Sequence, residues 1–576
     1  MTGCNCWALV LGLIAASASG AADQEADLVL HHGRIVTVDG RFRIAQAMAV
    51  RGERILAVGP DEEVLQLSGP RTRRVDLAGK TVLPGLIDSH THPQSAALYE
   101  FDHLVPEMET VADVLAYVKS RAAALGEGKW IAIQQVFITR LRDRRFPTRQ
   151  ELDQAAPRNP VIFRTGPDCS MNSLGLARCG IDKDFRITDG GPGSAERDPA
   201  TGEPTGILRN LGRFIKYQSS AKSPTDDDRR ARLKMLLAAY NRVGITSVCD
   251  RDAGEGQIAI YQRLKDSGQL TCRVFVNYAV NGQGPWDEIQ AAILKAARHP
   301  LHRYDNLLWV RGIKVYLDGG MLTGSAYLLK PWGASKIYSI TDPEYRGLLF
   351  IPPERLVKIV RLAMQNDLQP TAHTVGDGAV HALVDAYEEV DRELPVRAQR
   401  PCISHCNFMT PEAIEKMHKL GIVADLQPVW IYLDGATLAA HFGDPRLAYF
   451  QPYKSLFARG VVVGGGSDHM QKIEPERSIN RYSPFLAMWT ALVRQPRWTD
   501  RPLHSEQAIT REQAIRLYTI NNAYLTFEEK QKGSLEPGKL ADFIVLDRDP
   551  LICPVDQVKD VQVLSTYLGG KRVYQR

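Results

Sequence analysis

Val82-Leu83-Pro84-Gly85-Leu86-Ile87-Asp88-Ser89-His90-Thr91-His92-Pro93 is an apolar run that ends in two histidines separated by one residue. On a β-strand, that spacing places the imidazoles of His90 and His92 on the same side, because side chains alternate between the two faces. Two neutral imidazoles at the end of a buried strand are suitable ligands for zinc or a similar divalent metal. The spacing alone fits equally well a pair of polar residues at a strand–loop junction, but the preceding Pro-Gly-Leu-Ile-Asp favours the metal site.

Length and composition describe an ordinary globular chain. Its 576 residues exceed what one core usually holds and leave room for a barrel with accessory parts. The hydrophobic share is 44% and the charged share 24%, and the net charge of +5 is small for this length. No basic stretch is interleaved with aromatic residues, so we expect no nucleic-acid partner. We interpret the basic run 140–149 as a solvated face.

The N-terminus has the pattern of an export signal. Residues 7–18 form a short apolar run, and Ser19-Gly20-Ala21-Ala22 after it resembles a small-residue cleavage site. The run is shorter than the about 20 apolar residues needed to span a bilayer, so we expect no stable membrane insertion after signal removal. No Lys or Arg precedes the run, which leaves a retained hydrophobic tail as the alternative. We predict a signal peptide over 1–22 and a periplasmic or secreted protein.

The cysteines predict no disulfide framework. Of the nine, Cys4 and Cys6 precede the apolar run, and the other seven are scattered along the chain. Cys402 and Cys406 flank His405 and could suggest a zinc site. We interpret them instead as small apolar residues of a buried strand.

The two termini carry matching β-like segments that are rich in Val, Ile and Leu and interrupted by Gly. Neither set can close a core alone, so we expect residues 23–82 and 527–576 to pair into one small β-sandwich. The segments are 27–39, 47–59 and 74–83 near the N-terminus and 541–546 and 561–574 near the C-terminus.

Eight apolar runs of strand length alternate with helix-compatible stretches between residues 83 and 526, which predicts an α/β fold with a parallel (β/α)8 barrel like that of triosephosphate isomerase. The interval of about 94–230 breaks this rhythm and contains its own helical and loop patterns. We interpret it as an insertion after strand one that caps the barrel mouth. The eight runs are 83–90, 245–250, 272–280, 310–318, 369–374, 401–406, 422–428 and 461–468.

Polar residues at the ends of these runs are candidate site residues, because active sites of such barrels lie at the carboxyl ends of the strands. His373 and His405 end strands five and six, and their corresponding positions favour a ligand role over that of core histidines. Asp468 ends strand eight and can bind a metal and accept a proton from water as a general base. Its alternative role is the N-cap of a following helix. His469 either faces substrate or packs.

Lys314 lies inside the apolar fourth strand. A buried lysine is costly as a cation, and burial lowers its pKa. A neutral lysine can capture carbon dioxide as a carbamate whose two oxygens bridge two metals. From the residues alone, a lysine that reaches solvent or pairs with Asp318 is the better interpretation.

The ordered set of candidate ligands resembles the binuclear pattern of the metal-dependent amidohydrolase superfamily, in its amidohydrolase 3 branch, which contains N-substituted formamide deformylase. The likeness runs from Gly33 to the C-terminus and includes segments 205–209, 244–247, 517–521 and 533–542. The matching residues are His90, His92, Lys314, His373, His405 and Asp468.

The resemblance implies a hydrolase that cleaves a carbon–nitrogen bond other than a peptide bond, in a small-molecule N-acyl or N-formyl amide, through a metal-bound hydroxide. It implies one or two divalent ions, zinc first, with manganese, iron, cobalt or nickel as alternatives. One ion is held by His90, His92 and Asp468, and the other by His373 and His405. Carboxylated Lys314 bridges them, whereas an unmodified lysine implies a single metal. Asp468 is then the catalytic base.

Two alternative functions stay open. An esterase or lactonase would use the same site, and an exported non-catalytic metal-binding or regulatory protein could keep the barrel, although no ligand is lost. The chain departs from the branch at Pro167 and Ser170, where a His and a Trp are common, and at 321–325, where Gly-Ser-Arg is usual. These departures fall where substrate is recognised, so the resemblance assigns no substrate. Both a monomer and a homo-oligomer fit the sequence.

Overall fold

The computed structural model describes residues 25–576, and the predicted signal peptide lies outside them. The strands are β1 Ala26–His31, β2 Arg34–Val36, β3 Ile44–Ala45, β4 Ala47–Arg51, β5 Arg54–Gly59, β6 Ser68–Asp76, β7 Thr81–Pro84, β8 Leu86–Thr91, β9 Ile131–Gln134, β10 Val161–Thr165, β11 Asp168–Met171, β12 Ser194–Arg197, β13 Pro204–Arg209, β14 Ile245–Ala253, β15 Arg273–Ala279, β16 Leu308–Tyr316, β17 Gln369–Thr374, β18 Cys402–His405, β19 Val423–Leu426, β20 Val463–Gly465, β21 Phe543–Leu546, β22 Val563–Leu568 and β23 Lys571–Gln575.

The α-helices are α1 Asp61–Leu65, α2 Pro93–Leu98, α3 Val111–Leu125, α4 Arg149–Ala155, α5 Ser173–Cys179, α6 Asp226–Arg242, α7 Glu255–Asp266, α8 Trp286–Ala297, α9 Pro353–Gln365, α10 Asp377–Asp391, α11 Pro411–Leu420, α12 Val429–Phe442, α13 Tyr453–Arg459, α14 Pro484–Val493, α15 Arg511–Leu517 and α16 Ile520–Leu525. Among residues 25–576, none of them has both the length and the apolar character that a bilayer crossing needs.

An eight-stranded parallel sheet of order β20-β19-β18-β17-β16-β15-β14-β8 forms a nearly closed barrel. Each of the eight predicted runs overlaps one of these strands, and the predicted fold class is confirmed. The strands are almost entirely buried because helices cover the outside of the sheet while their inner faces fill the barrel. The apolar runs in the sequence reflect this burial on both faces.

Strands β8 and β20 meet at the carboxyl edge of the barrel. The Asp468 N–H donates to the His90 carbonyl at 2.8 Å, and the His92 N–H donates to the His469 carbonyl at the same distance. Gly466 permits this approach, since a Cβ atom there would lie 2.8 Å from the Cβ of His90. The glycine run before Asp468 therefore serves barrel closure.

The termini form two further sheets, of order β5-β4-β1-β6 and β23-β22-β21-β7-β2-β3. In the second, C-terminal strand β21 pairs antiparallel with β7, which directly precedes barrel strand β8. The composite sandwich therefore joins both ends of the chain next to strand one. The domain boundaries at 82/83 and 526/527 stay predictions.

The interval after strand one holds more β-structure than we expected. It contains a five-stranded sheet of order β12-β13-β11-β10-β9 beside helices α3, α4 and α5. The predicted helices are present, but the strands were not anticipated, because they are only four to six residues long and include polar residues such as Asp168 and Ser170.

The basic run 140–149 was expected to form a solvated face, but its first residue, Arg140, is buried. Arg140 forms a bidentate ion pair with Asp434 of α12, with both N–O distances at 2.9 Å. Its Nη1 also donates to the Asn480 side chain. Arg142, by contrast, is exposed. Arg140 thus anchors the interval after strand one to the barrel.

Cys402 and Cys406 are fully buried, as expected for small apolar residues. All seven cysteines among residues 25–576 are free thiols, so the described part of the chain holds no disulfide.

A buried ion pair links the barrel to the sandwich. Arg273 of β15 donates from Nε and Nη2 to the two carboxylate oxygens of Asp542 at 2.6 and 2.9 Å. Burial opposes the charged carboxylate, but the Arg273 guanidinium beside it lowers the pKa of Asp542 overall. Asp542 also accepts the Gly569 N–H, so one carboxylate connects three segments.

We expect Asp542→Asn to destabilise the fold by about 3–5 kcal/mol, because it leaves the buried Arg273 charge without its counter-ion. The measurement is the midpoint of chemical unfolding, followed by circular dichroism. Asp560→Asn, at an exposed pair with Lys559, is the matched control and should change little. An Asp542→Asn midpoint equal to that of the wild type would contradict the role of this pair.

Candidate metal centre

The structure brings the six candidate residues together at the carboxyl edge of the barrel. They line one cavity of about 770 Å³ that also touches the segment after strand one. His90, Lys314, His373 and His405 lie on strands β8, β16, β17 and β18. His92 directly follows β8, and Asp468 lies in the loop after β20.

The first group of donors comprises His90, His92 and Asp468. One ligand atom from each lies within 4.8 Å of the others. The Asp468 Oδ1 atom is 3.5 Å from His90 Nε2 and 3.1 Å from His92 Nε2. Asp468 does not cap a helix, because the next helix, α14, begins only at Pro484. The helix-cap alternative is therefore wrong.

The second group lies beside the first. The ring centroids of His373 and His405 are 4.5 Å apart, and those of His405 and His90 are 4.8 Å apart. His405 has a φ of 81°, in the left-handed region, which is uncommon for a residue other than glycine. Four imidazoles thus converge from three strands and the loop after strand one.

Lys314 points into the same cluster. Its side chain is 1% exposed, and its Nζ atom has no hydrogen-bond partner among the described residues. Asp318 does not pair with it, because that carboxylate accepts the backbone N–H groups of Tyr327, Val375 and Gly376 at 2.9–3.0 Å. Both alternative roles, solvent exposure and pairing with Asp318, are therefore excluded.

Burial sets the protonation of these groups. It lowers the pKa of Lys314 to about 8 and that of His373 to about 3. It also lowers the pKa values of His90 and His405 well below the usual range. Neutral imidazoles keep their lone pairs available, so this donor set fits a divalent metal ion.

His92 is the exception. Burial alone would lower its pKa, but the hydrogen bond to Asp468 and the charge of that carboxylate raise it overall. The neighbouring carboxylate therefore favours a positive charge at this point. A bound cation would satisfy the same preference.

Two further residues orient the rings and were missed in the sequence, namely Asp425 on strand β19 and Gln427 directly after that strand. The Asp425 Oδ2 atom lies 2.8 Å from His90 Nδ1, and the Gln427 Oε1 atom lies 2.8 Å from His405 Nδ1. With Nδ1–H donating to these oxygens, each Nε2 keeps its lone pair for a metal. Asp425 and Gln427 have the same i, i+2 spacing in run 422–428 as His90 and His92 have in the first run. This spacing is the sequence pattern from which they could have been predicted.

His469 packs and does not face the cavity. It is fully buried, and its Nδ1 atom lies 2.8 Å from the Tyr240 hydroxyl. Its Nε2 atom contacts the carbonyls of Gln471 and Lys472 at 2.7 and 2.8 Å. Of the two roles expected for His469, the structure shows the structural one.

Most of the sequence departures lie in the cavity wall. Pro167 and residues 321–323 line the cavity, whereas Ser170 is fully buried and donates to the Pro147 carbonyl. The hydroxyls of Thr323 and Ser325 both donate to the buried Asp168 carboxylate. This contact joins the loop after strand four to the sheet formed after strand one.

Comparisons with known proteins agree with this architecture. Residues 73–574 match the amidohydrolase family. N-substituted formamide deformylase from Arthrobacter pascens is 29% identical over 566 residues, which cover 96% of this chain and 99% of that protein. Protein LONG AFTER FAR-RED 3 from Arabidopsis thaliana is 29% identical over 567 residues, covering 95% and 92%.

Among solved structures, an uncharacterized metal-dependent hydrolase from Pyrococcus horikoshii OT3 superposes with a TM-score of 0.65 at 22% identity, covering 92% of this chain and 99% of that one. This likeness shows a shared fold. The family match covers the whole barrel, strand β7 and nearly all of the C-terminal part of the sandwich, and it confirms the family expected from the sequence. The chain therefore belongs to the amidohydrolase family, as a hydrolase that acts on carbon–nitrogen bonds.

Proposed function

We propose that this chain is a metal-dependent hydrolase of a non-peptide amide, namely an N-acyl or N-formyl amine. The observation that carries the proposal is the convergence of four imidazoles, one carboxylate and an unpartnered buried lysine at the floor of one cavity. The name of the deformylase relative supports the substrate class. The exported regulatory alternative loses support, because all six side chains are present and converge.

One divalent ion, zinc first, would be held by His90, His92 and Asp468, and a second by His373 and His405. When bound, the metal supplies Lewis-acid polarisation of the scissile carbonyl and a water of lowered pKa. The protein's own contribution is to fix the ring orientations. It does so through Asp425 and Gln427, which engage the outer nitrogens of His90 and His405.

Asp468 is the general base of the proposed reaction. Its side chain is 7% exposed, and its Oδ1 atom faces His90 and His92. Asp468 accepts the proton of the attacking water and passes it to the leaving nitrogen, so the C–O bond forms and the C–N bond breaks with no net proton change. Asn480 holds it in place by donating to its backbone carbonyl at 2.5 Å.

The cavity wall next to the ligands combines one polar pair with apolar surface. The Tyr316 hydroxyl donates to Asp252 Oδ2 at 3.0 Å, and its ring lies 5.3 Å from that of His373. Met321 and Trp430 supply apolar surface nearby. A small polar end beside the ligands and an apolar wall beyond suit an amide with an apolar substituent. An ester or lactone would use the same groups.

We further propose that Lys314 is carboxylated. Its neutral amine would attack carbon dioxide, forming the N–C bond and releasing a proton to solvent. The carbamate would add a negative charge among four imidazoles, where Lys314 has no hydrogen-bond partner among the described residues. The negative charge on its two oxygens would attract two cations. A protonated lysine at the same position would repel them.

We also propose that the chain is exported. The support is the apolar run 7–18 with small residues after it. The test is the N-terminal sequence of protein recovered from the periplasm or medium, which should begin near Ala22. Recovery only of cytoplasmic, uncleaved chain would contradict export.

Removing the metal or a ligand should abolish hydrolysis while leaving the barrel folded. We expect chelation, or His405→Ala, to lower kcat/KM for an active N-acyl or N-formyl amine by more than about 100-fold, beyond the 10–100-fold cost typical of residues that only orient ligands. The measurement combines steady-state kinetics, metal content by elemental mass spectrometry and circular dichroism. His418→Ala, at an exposed histidine, is the control. Undiminished hydrolysis by folded His405→Ala would refute the metal mechanism.

Asp425→Asn should weaken metal binding without removing a ligand. Because the amide no longer holds the charge and orientation of the His90 ring, we expect metal affinity to fall about 10–100-fold. The measurement is competition with a chromophoric chelator, and excess metal should restore part of kcat. Asp444→Asn, at an exposed carboxylate, is the control. An unchanged affinity would show that Asp425 only packs.

Carboxylation of Lys314 predicts a carbamate signal that depends on pH. In metal-free protein with a Lys314 pKa of about 8, the reactive neutral fraction falls tenfold per pH unit below that value. We therefore expect reloading with metal and ¹³C-bicarbonate to be faster at pH 8 than at pH 6 and to give a carbamate resonance in the ¹³C spectrum.

Lys314→Met should lack this resonance. Lys472→Met is a matched control, because Lys472 is also buried with a lowered pKa but lies outside the ligand cluster. A resonance that persists in Lys314→Met, or disappears in Lys472→Met, would assign the carbamate elsewhere. Absence of any resonance in active wild-type protein would favour the single-metal site.

A further inference from the structure

A second set of metal-binding side chains lies on the β-sandwich, outside the candidate metal centre. Strands β1 and β6 pair in parallel, and His31 at the end of β1 lies directly opposite Asp76 at the end of β6. Side chains of register partners point to the same face of a sheet. The His31 imidazole and the Asp76 carboxylate are therefore neighbours.

His32 joins them because the chain leaves the strand at this point. On a continuing strand, His32 would point to the opposite face from His31. Its φ of 52° is in the left-handed region instead, and its backbone N–H is held by Asp61 Oδ1 at 2.8 Å. The rings of His31 and His32 consequently contact each other, with centroids 4.5 Å apart.

Together the three side chains have the geometry of a ligand set. One ligand atom from each of His31, His32 and Asp76 lies within 4.8 Å of the others. The His32 Nδ1 atom is 3.3 Å from Asp76 Oδ2. The side chains of His32 and Asp76 are 57% and 58% exposed, so an ion can reach them from solvent.

His31 supplies the second line of evidence. Its Nδ1 atom is buried and has no hydrogen-bond partner within residues 25–576. Buried polar atoms in native proteins nearly always have a hydrogen-bond partner or a ligand. A buried nitrogen without one therefore indicates a ligand that binds there. The Nδ1 atom of His31 is therefore not engaged in a hydrogen bond to another described residue and is available to a ligand.

We propose that His31, His32 and Asp76 bind a divalent transition-metal ion of the zinc type. Two imidazole nitrogens and one carboxylate oxygen, completed by water, suit zinc or copper and do not suit calcium or magnesium, which prefer oxygen ligands alone. The ion connects the carboxyl ends of β1 and β6. The proposal is independent of the hydrolytic function, because none of these residues lines the catalytic cavity.

The test counts zinc ions per full-length chain by elemental mass spectrometry after equilibrium dialysis at a series of buffered free zinc concentrations. Wild-type protein should bind one more ion at saturation than His32→Asn. Asparagine tolerates the left-handed backbone conformation, so this variant removes the imidazole and keeps the turn. Asp76→Asn should lose the same ion, whereas Asp76→His, which supplies a third imidazole, should retain it.

Two variants separate this site from the catalytic one. His405→Ala should lose zinc from the barrel but retain the ion on the sandwich, and His32→Asn should keep full hydrolytic activity. His418→Ala controls for loss of an exposed imidazole and should bind as much zinc as the wild type. Equal zinc content in wild type and folded His32→Asn at every free zinc concentration would overturn the proposal.

Discussion

Closure of the barrel between strand β8 and the segment after β20 is the constraint on which the candidate metal centre depends. Two backbone hydrogen bonds place Asp468 beside His90 and His92, although nearly the whole barrel separates them in sequence. The buried Asp88 carboxylate reinforces this contact by accepting both the N–H and the hydroxyl of Ser467. The first and last strands therefore have to meet before the first group of donors exists.

Desolvation explains why three of the four imidazoles stay neutral and why the site suits a cation. In water, an imidazole has a pKa of about 6.5 and a lysine amine a pKa of about 10.4, so both groups bind protons at or below these pH values. In the barrel mouth, burial lowers the pKa values of His90, His373 and His405 far enough that their lone pairs remain free at neutral pH. It lowers the pKa of Lys314 to about 8, which increases the neutral fraction of this amine. A buried cluster of unprotonated donors is unfavourable by itself, and a bound ion stabilises the fold by mass action.

The sequence predicted the barrel strands because each is buried on both faces and reads as an apolar run. It predicted the site residues because His-x-His and lone polar residues at strand ends interrupt those runs. The role of Asp425 was not predicted, because it depends on the tertiary contact between strand β19 and His90. The sheet after strand one escaped for another reason: its strands are short, and polar residues such as Asp168 take partners far away in sequence.

Chemistry and specificity are encoded in different parts of the chain. The barrel supplies the ligands, and the wall around them comes from the segment after strand one and the loop after strand four. Asp168 couples these two parts, since Thr323 and Ser325 of the loop donate to it and Arg209 of β13 donates to the Thr323 carbonyl. The chain departs from its branch mainly in this wall. Divergence there changes which substrate fits while the six converging side chains stay the same.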